Sequence, residues 1–203
     1  KDEKAFFELN SFLPQKINFL CIKYSSKFIN ISSDGVFSGL SGNYDEEDIP
    51  DATDIYGLSK FLGETCNDNS IILRTSFIGH EYFNKKGLLE WFLSKKECYG
   101  FDNHIYSGLT SNFLATIIRD EIITRPELKG IFNLSAKPIT KYSLLSLISN
   151  IYNTDIIIKK LCGKKINRAL SNKKFVNLTK FNFPNWKEMI TKMKEDNDSE
   201  KKA

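Results

Sequence analysis

The chain has 203 residues, of which 41% are hydrophobic and 27% charged, with a net charge of +4 at pH 7. This composition is typical of a soluble globular protein, and the sequence contains neither an apolar run of roughly 18 residues, as a membrane span needs, nor a basic stripe interleaved with aromatic residues. Its four cysteines form no Cys-x-x-Cys pair, and the two histidines complete no metal-ligand spacing. We therefore expect a cytoplasmic protein with free thiols, no metal, no nucleic-acid partner and no membrane segment.

The first predicted element is a helix near the start of the chain. Apolar side chains recur at helical spacing between Ala5 and Cys21. Pro14 falls inside this pattern, and it predicts a kink or a new helix start because proline lacks the N–H that a continuous helix requires.

A buried strand is predicted next. Residues 27–32 are predicted to form this strand, and its core is a nearly continuous apolar run with Asn30 as the exception, which is typical of a strand covered on both faces. The run ends in two hydroxyls and a carboxylate, those of Ser32, Ser33 and Asp34. These polar groups make the end of the strand a candidate site.

A tyrosine and a lysine open the following helix. Residues 40–54 are rich in Gly, Asn, Asp and Glu and read as a loop, whose last residue, Asp54, can cap the helix. Tyr56 and Lys60 are four apart and so share one helix face. A nearby cation lowers the pKa of a phenol from about 10, which suits it to proton transfer. If Ser33 reaches that face, its hydroxyl can bind the same substrate oxygen.

Further elements alternate along the chain. Strands are predicted over residues 70–75, 98–101, 130–134 and 156–160, and helices over residues 87–95, 110–124, 140–152 and 186–193. The alternation predicts an α/β fold with βαβ units and a parallel sheet. We expect residues 1–80, with strand 130–134 returning to them, to form one domain, residues 81–195 to form mainly a smaller lobe, and the charged residues 196–203 to be a disordered tail.

The pair of Tyr56 and Lys60 gains meaning from its context. Alone, Tyr-x-x-x-Lys is a weak signal that an ordinary surface helix turn also produces, and Tyr82 with Lys86 is a second, chance copy. Four segments occur in order, however: Ser32-Ser-Asp-Gly-Val-Phe-Ser-Gly, Tyr56-Gly-Leu-Ser-Lys-Phe-Leu-Gly-Glu, Leu73-Arg-Thr-Ser-Phe-Ile-Gly and Gly130-Ile-Phe-Asn-Leu-Ser. In these segments the sequence resembles the extended short-chain dehydrogenase/reductases, nearest the dTDP-4-dehydrorhamnose reductase branch.

The resemblance implies a Rossmann-like doubly wound parallel sheet with a smaller C-terminal substrate lobe. It further implies NADPH or NADH as cofactor, a nucleotide-sugar substrate, and reduction of a 4-keto-6-deoxy sugar in surface polysaccharide synthesis. A homodimer is compatible with it. Two alternatives stay open: an epimerase or dehydratase of the same superfamily, which shares the Tyr/Lys pair, and a non-catalytic member that binds nucleotide or regulates a partner. Asp34 is followed by Gly35 rather than a second acid, which disfavours dehydration.

Site residues also follow from the resemblance. It makes Tyr56 the acid that protonates the carbonyl oxygen, Lys60 the cation that lowers the tyrosine pKa and holds the nicotinamide ribose, and Ser33 the hydroxyl beside the carbonyl. The residues expected at the cofactor are Tyr56, Lys60, Ser32, Arg74, Thr75 and Ser76. Those expected at the substrate are Ser33, Asp34, Phe77 and Arg168. For the last three, turn formation, packing and a solvated surface charge are the respective structural alternatives.

Two features depart from the family. No glycine-rich dinucleotide-binding turn occurs, and residue 1 aligns with the middle of the family's first domain. We therefore expect a fragment that lacks the first three strands, exposes residues 27–32 as a sheet edge, is poorly stable alone and binds dinucleotide weakly. In addition, Gly35 replaces the tyrosine common in rhamnose reductases, which leaves the identity of the sugar open.

Overall fold

The computed structural model describes residues 3–81 and 83–201; Tyr82, and with it the second Tyr-x-x-x-Lys pair, lies outside the described residues. The chain alternates helices with short strands. In chain order the elements are α1 (Glu3–Phe7), a π-helical turn (Glu8–Phe12), α2 (Leu13–Lys23), β1 (Phe28–Ile31), a 3-10 turn (Asp34–Val36), α3 (Ile55–Leu62), β2 (Ser70–Arg74), β3 (Phe77–Ile78), α4 (Leu88–Leu93), β4 (Glu97–Phe101), β5 (His104–Tyr106), β6 (Leu109–Thr110), α5 (Ser111–Ile117), a second π-helical turn (Ile118–Ile122), β7 (Gly130–Asn133), β8 (Ile139–Thr140), α6 (Lys141–Tyr152), β9 (Ile157–Leu161), β10 (Ile166–Asn167), α7 (Lys173–Thr179) and α8 (Trp186–Glu200).

The central sheet is parallel, in the order β1-β2-β7. In the register, Ile31 lies opposite Leu73, which in turn lies opposite Phe132. Because parallel strands end at the same edge of a sheet, the residues that follow β1, β2 and β7 meet there. Among the described residues β1 pairs only with β2, so it lies at the edge of the sheet, as the sequence predicted.

The main core lies between this sheet and the C-terminal helices. Apolar side chains of β2 and β7 pack with those of α5, α6 and α8, and the fully buried members include Ile71, Leu73, Ile117, Leu144, Leu145, Phe132 and Ile190. Trp186 is buried here as well, and its indole N–H donates to the Lys137 carbonyl at 2.7 Å. This core fixes the strands whose ends carry the candidate site.

The N-terminal helical segment, residues 3–23, buries polar side chains and exposes apolar ones. Its polar side chains face α3 and the segment that follows it: Ser11 donates to the Ser59 carbonyl at 2.7 Å, and Asn18 donates to the Thr65 carbonyl at 3.1 Å. Its apolar side chains are exposed, among them Leu9, Phe12, Leu13, Phe19 and Leu20. Pro14 lies in the first turn of α2, which begins at Leu13 directly after the π-helical turn. The backbone at Phe12 and Leu13 remains helical, so the helix changes its hydrogen-bond pattern just before Pro14 and does not end there.

The prediction of a disordered tail was wrong for residues 196–200, which belong to α8. This helix begins at a capping box formed by Asn185 and Glu188 and continues to Glu200. Asp196 accepts a hydrogen bond from the Asn112 amide at 2.7 Å, and Asn197 is buried. These contacts fix a segment whose composition alone suggested disorder; residues 202 and 203 lie outside the described range. No helix in the described ranges has the length and apolar character to cross a membrane.

Candidate active site

The end of β1 turns sharply and presents the Ser33 hydroxyl. Ser33 has an extended backbone and caps the 3-10 turn, because its Oγ accepts the Gly35 N–H at 3.0 Å. The same hydroxyl lies 3.3 Å from Asp34 Oδ1, to which it can donate. The sequence Ser-Asp-Gly therefore folds into a compact turn that fixes the serine side chain at the carboxyl end of the strand.

Helix α3 carries Tyr56 and Lys60 to this turn. Asp54 caps the helix as predicted, since its carboxylate accepts the Gly57 N–H at 2.9 Å. Helix and turn approach each other closely at Gly57, where an added Cβ would lie 2.2 Å from the Gly35 carbonyl oxygen. Only glycine permits this approach, which brings Tyr56 beside the strand end.

Ser33 and Tyr56 flank the same glycine. A Cβ built on Gly35 would lie 3.1 Å from Ser33 Oγ and 3.2 Å from Tyr56 Cε1. Tyr56 is 41% exposed, whereas Ser33 is buried. The two groups that the sequence placed 23 positions apart are thus neighbours.

Lys60 is anchored to the same strand end. Its Nζ donates to the Ile31 carbonyl at 3.2 Å, two residues before Ser33. Burial lowers the pKa of Lys60, and the Glu64 carboxylate partly offsets that by favouring the charged form. The structure therefore brings Ser33, Tyr56 and Lys60 together, with a half-buried cation one helical turn from the phenol.

Asp34 adds a carboxyl group whose pKa is raised. Burial raises the pKa of Asp34 to about 6, against the opposing effects of Arg168, Lys141 and the hydrogen bonds from Ser33 and Gly35. Neither cation forms an ion pair with Asp34 among the described residues. A carboxyl with this pKa beside two cations can accept or donate hydrogen bonds to a ligand, according to its protonation state.

The two cations come from the C-terminal half of the chain. Arg168 lies 3.5 Å from the Asp54 carboxylate, and Lys141 is stacked 4.4 Å from the centre of the Tyr106 ring. Burial lowers the pKa of Lys141, while Asp34 opposes that change. The second half of the chain thus supplies the side of the site that faces Ser33 and Asp34.

The remaining predicted cofactor residues differ in accessibility. Arg74 is 2% exposed, and its guanidinium is paired with Glu64 at 2.8 Å. Ser32 is buried and donates to Glu64 Oε1 at 2.5 Å, and Thr75 donates to the Leu134 carbonyl at 2.8 Å. The hydroxyls of Ser32 and Thr75 and the Nε and Nη2 atoms of Arg74 are therefore occupied within the protein, whereas Arg74 Nη1 is buried without a hydrogen-bond partner among the described residues. Ser76 is half-buried, and Phe77, predicted at the substrate, is 56% exposed.

Sequence reasoning missed two residues around the site. Glu64 closes the motif that begins at Tyr56, and its position four residues after Lys60 was a signal for a carboxylate near that lysine, although α3 itself ends at Leu62. Tyr106 is buried under Lys141, in a short strand with no distinctive pattern, and no signal in the sequence marks it. The described residues include no group of three or more His, Cys, Asp or Glu that could hold a metal ion.

Comparisons with known proteins found one family model that matches the N-terminal part of the chain. Residues 1–100 match the family model described as the RmlD substrate binding domain, and these residues include Ser33, Tyr56, Lys60 and Arg74. No curated protein matches the sequence.

Solved structures match over almost the whole chain. A dTDP-4-dehydrorhamnose reductase from Bacillus anthracis, in complex with NADP, is 20% identical with a TM-score of 0.82, covering 96% of this chain and 74% of that one. A hypothetical dTDP-4-dehydrorhamnose reductase from Sulfolobus tokodaii is 25% identical with a TM-score of 0.77, covering 91% and 71%. A dTDP-glucose 4,6-dehydratase from Bacillus anthracis, in complex with NAD, is 17% identical with a TM-score of 0.76, covering 95% and 68%. The chain therefore has the Rossmann-type α/β fold of these enzymes.

Proposed function

We propose that the protein acts in the NAD(P)H-dependent reduction of a nucleotide-linked 4-keto-6-deoxy sugar. The observation that carries the proposal is the approach of both Ser33 Oγ and the Tyr56 ring to the position that a Cβ on Gly35 would occupy, with Lys60 one helical turn after Tyr56. The matches to rhamnose reductases, one of them bound to NADP, support it.

The residues present fit one end of a nicotinamide cofactor. An exposed phenol next to a half-buried ammonium suits the nicotinamide-ribose end, whereas the sequence contains no glycine-rich turn for the pyrophosphate. When bound, such a cofactor supplies the hydride.

The protein's own groups then handle the carbonyl oxygen and its proton. The Ser33 hydroxyl donates a hydrogen bond to that oxygen, and the Tyr56 phenol donates the proton to it as the alcohol forms. The Lys60 cation stabilises the tyrosinate that remains, because a positive charge nearby favours the anion. Asp34 and Arg168, which lie near each other, and the exposed Phe77 bind the sugar in this proposal.

The test is NADPH oxidation with a dTDP-4-keto-6-deoxy sugar, using the longest reading frame that contains these residues. We expect turnover in the parent and a loss of about 100-fold or more in Tyr56→Phe, the usual contribution of a general acid. Tyr99→Phe is the matched control, since Tyr99 is an exposed tyrosine of β4, and it should retain full activity.

An epimerase is the second candidate. Asp34, with its pKa near 6, is an additional acid beside Ser33, as a reaction with a second proton transfer needs. An epimerase would change the configuration of the sugar without net oxidation of NADPH. Bound cofactor with no turnover of either kind would favour a regulatory, non-catalytic member instead.

A further inference from the structure

One buried carboxylate joins the ends of both strands that frame the site. Glu64 accepts Ser32 Oγ from the end of β1 at 2.5 Å, and it accepts Arg74 Nε and Nη2 from the end of β2 at 3.1 and 2.8 Å. The side chains of Glu64 and Arg74 are 1% and 2% exposed, so solvent does not weaken the pair. The guanidinium also lies 5.2 Å from the centre of the Phe37 ring, which holds it in place.

The same carboxylate belongs to the segment that carries Lys60. Glu64 follows the end of α3 and lies four residues after Lys60. Lys60 Nζ binds the Ile31 carbonyl, while Glu64 binds the hydroxyl of the next residue, Ser32. Two adjacent residues of the strand end are therefore held by two side chains of one helical segment, directly before Ser33.

The charged and titratable groups near Lys60 also link it to Glu64. Tyr56 precedes Lys60 by four residues and Glu64 follows it by four, and Arg74 of β2 is paired with that glutamate. Cys66 and Lys174 are the further titratable groups around this cluster. Burial lowers the pKa of Lys60, and Glu64 is the charge that opposes this effect.

We propose that Glu64 is a positioning residue for the reaction above, holding the Lys60 ammonium and the Ser33 hydroxyl in place through Ser32, Arg74 and the end of β1. This inference rests on the proposed function. Glu64 does not touch the reacting atoms; it acts by fixing the strand ends and by favouring the cationic form of Lys60. Arg74, which the sequence suggested for the cofactor, has the role of partner to this carboxylate.

The first test measures the titration of Lys60 and needs no activity. Competitive acylation of amines over a range of pH, followed by mass spectrometry, gives the midpoint of Lys60 in the parent and in Glu64→Gln. We expect a lower midpoint in the variant, because the opposing charge is lost. The matched control is Glu97→Gln, which removes an exposed carboxylate paired with Lys159 and should leave Lys60 unchanged.

A second variant guards against misfolding. Glu64→Gln leaves Arg74 buried without its partner, so we also make the double variant Glu64→Gln/Arg74→Met, which leaves no isolated charge. The double variant should fold by circular dichroism and show a midpoint between those of the parent and of Glu64→Gln, because loss of the Arg74 cation offsets part of the effect of losing the carboxylate. A midpoint equal to that of the parent in every folded variant, or failure of both variants to fold, would overturn the proposal.

The conservative variant separates charge from position. Glu64→Asp keeps the carboxylate but withdraws it by one methylene from Ser32 and Arg74. We expect a midpoint of Lys60 close to that of the parent and a kcat lowered by about tenfold or more, with KM little changed. If the parent is active, a kcat of Glu64→Asp equal to that of the parent would overturn the positioning role. Absence of turnover in the parent, with the lysine midpoint moving as expected, would count against the proposed reaction and not against this network.

Discussion

The most specific structural prediction concerns Gly57, where helix propensity and packing give opposite answers. Gly57 lies in α3, and replacing a helical glycine by alanine normally stabilises a protein by about 0.5–1 kcal/mol. Here the added Cβ would lie 2.2 Å from the Gly35 carbonyl oxygen and 2.5 Å from Ala52 Cβ. Ordinary contact begins at 3.4 Å, so helix and turn must separate by about 1.2 Å (3.4 minus 2.2).

That separation has two consequences. Overpacking of this kind costs roughly 1–3 kcal/mol, which exceeds the gain in propensity, so Gly57→Ala should lower the free energy of unfolding. The shift also moves Tyr56 away from Ser33, and a misplacement of about 1 Å can lower the rate by about 100-fold. Gly35→Ala is the graded comparison: its Cβ would meet Ser33 Oγ at 3.1 Å and Tyr56 Cε1 at 3.2 Å, so the neighbours need to give by only a few tenths of an ångström.

Urea denaturation gives the free energy of unfolding, and NADPH oxidation gives the rate. We expect Gly57→Ala to be the less stable and less active of the two variants. A Gly57→Ala protein that is more stable than the parent and equally active would refute the close approach of α3 to the turn, and with it the geometry of the site.

Three further predictions concern charge, capping and the C-terminal helix. Because the folded pKa of Asp34 is about 6 and its unfolded value about 3.8, this group adds stability as the pH falls below 6 and loses it as the pH rises through 6. Asp34→Asn should therefore be more stable than the parent at pH 7, by up to about 3 kcal/mol, with the difference vanishing near pH 4; a constant difference in urea titrations at both pH values would contradict this. Asp54→Ala should lower stability by about 1 kcal/mol through the lost cap, whereas Asp48→Ala, in the preceding loop, should have a smaller effect. Truncation after residue 195 removes the bond between Asp196 and Asn112 and the buried Asn197, so it should lower the melting temperature, and an unchanged melting temperature would restore the prediction of a dispensable tail.

Local signals in the sequence were sufficient for the elements that form the site. The apolar run before Ser33 identified β1, and Asp54 before a helical pattern identified the start of α3. The spacing of Tyr56 and Lys60 correctly placed both on one helix, since helical periodicity depends only on neighbours in the chain. The contact of that helix with the strand end was inferred from the resemblance, and the structure bears it out at Gly35.

Contacts between residues that are far apart in the chain could not be predicted from such local signals. Nothing in the sequence of β2 indicates that Arg74 forms an ion pair with Glu64, because a buried ion pair depends on how two elements pack. The burial of Ser11 and Asn18, with apolar neighbours exposed, likewise reverses the usual expectation for an amphipathic helix. The order of residues 196–200 depends on Asn112, which is far away in the chain.

The measurement that tests the central claim most directly follows deuterium from NADPH into the sugar. With NADPH deuterated at C4 of the nicotinamide and a dTDP-4-keto-6-deoxy sugar as substrate, the account predicts a product one mass unit heavier than that from ordinary NADPH, labelled at the former ketone carbon. Formation of this product should collapse in Tyr56→Phe and persist in Tyr99→Phe. An altered sugar without deuterium would contradict the reductase reading and favour an epimerase, and labelled product undiminished in Tyr56→Phe would show that Tyr56 is not the acid.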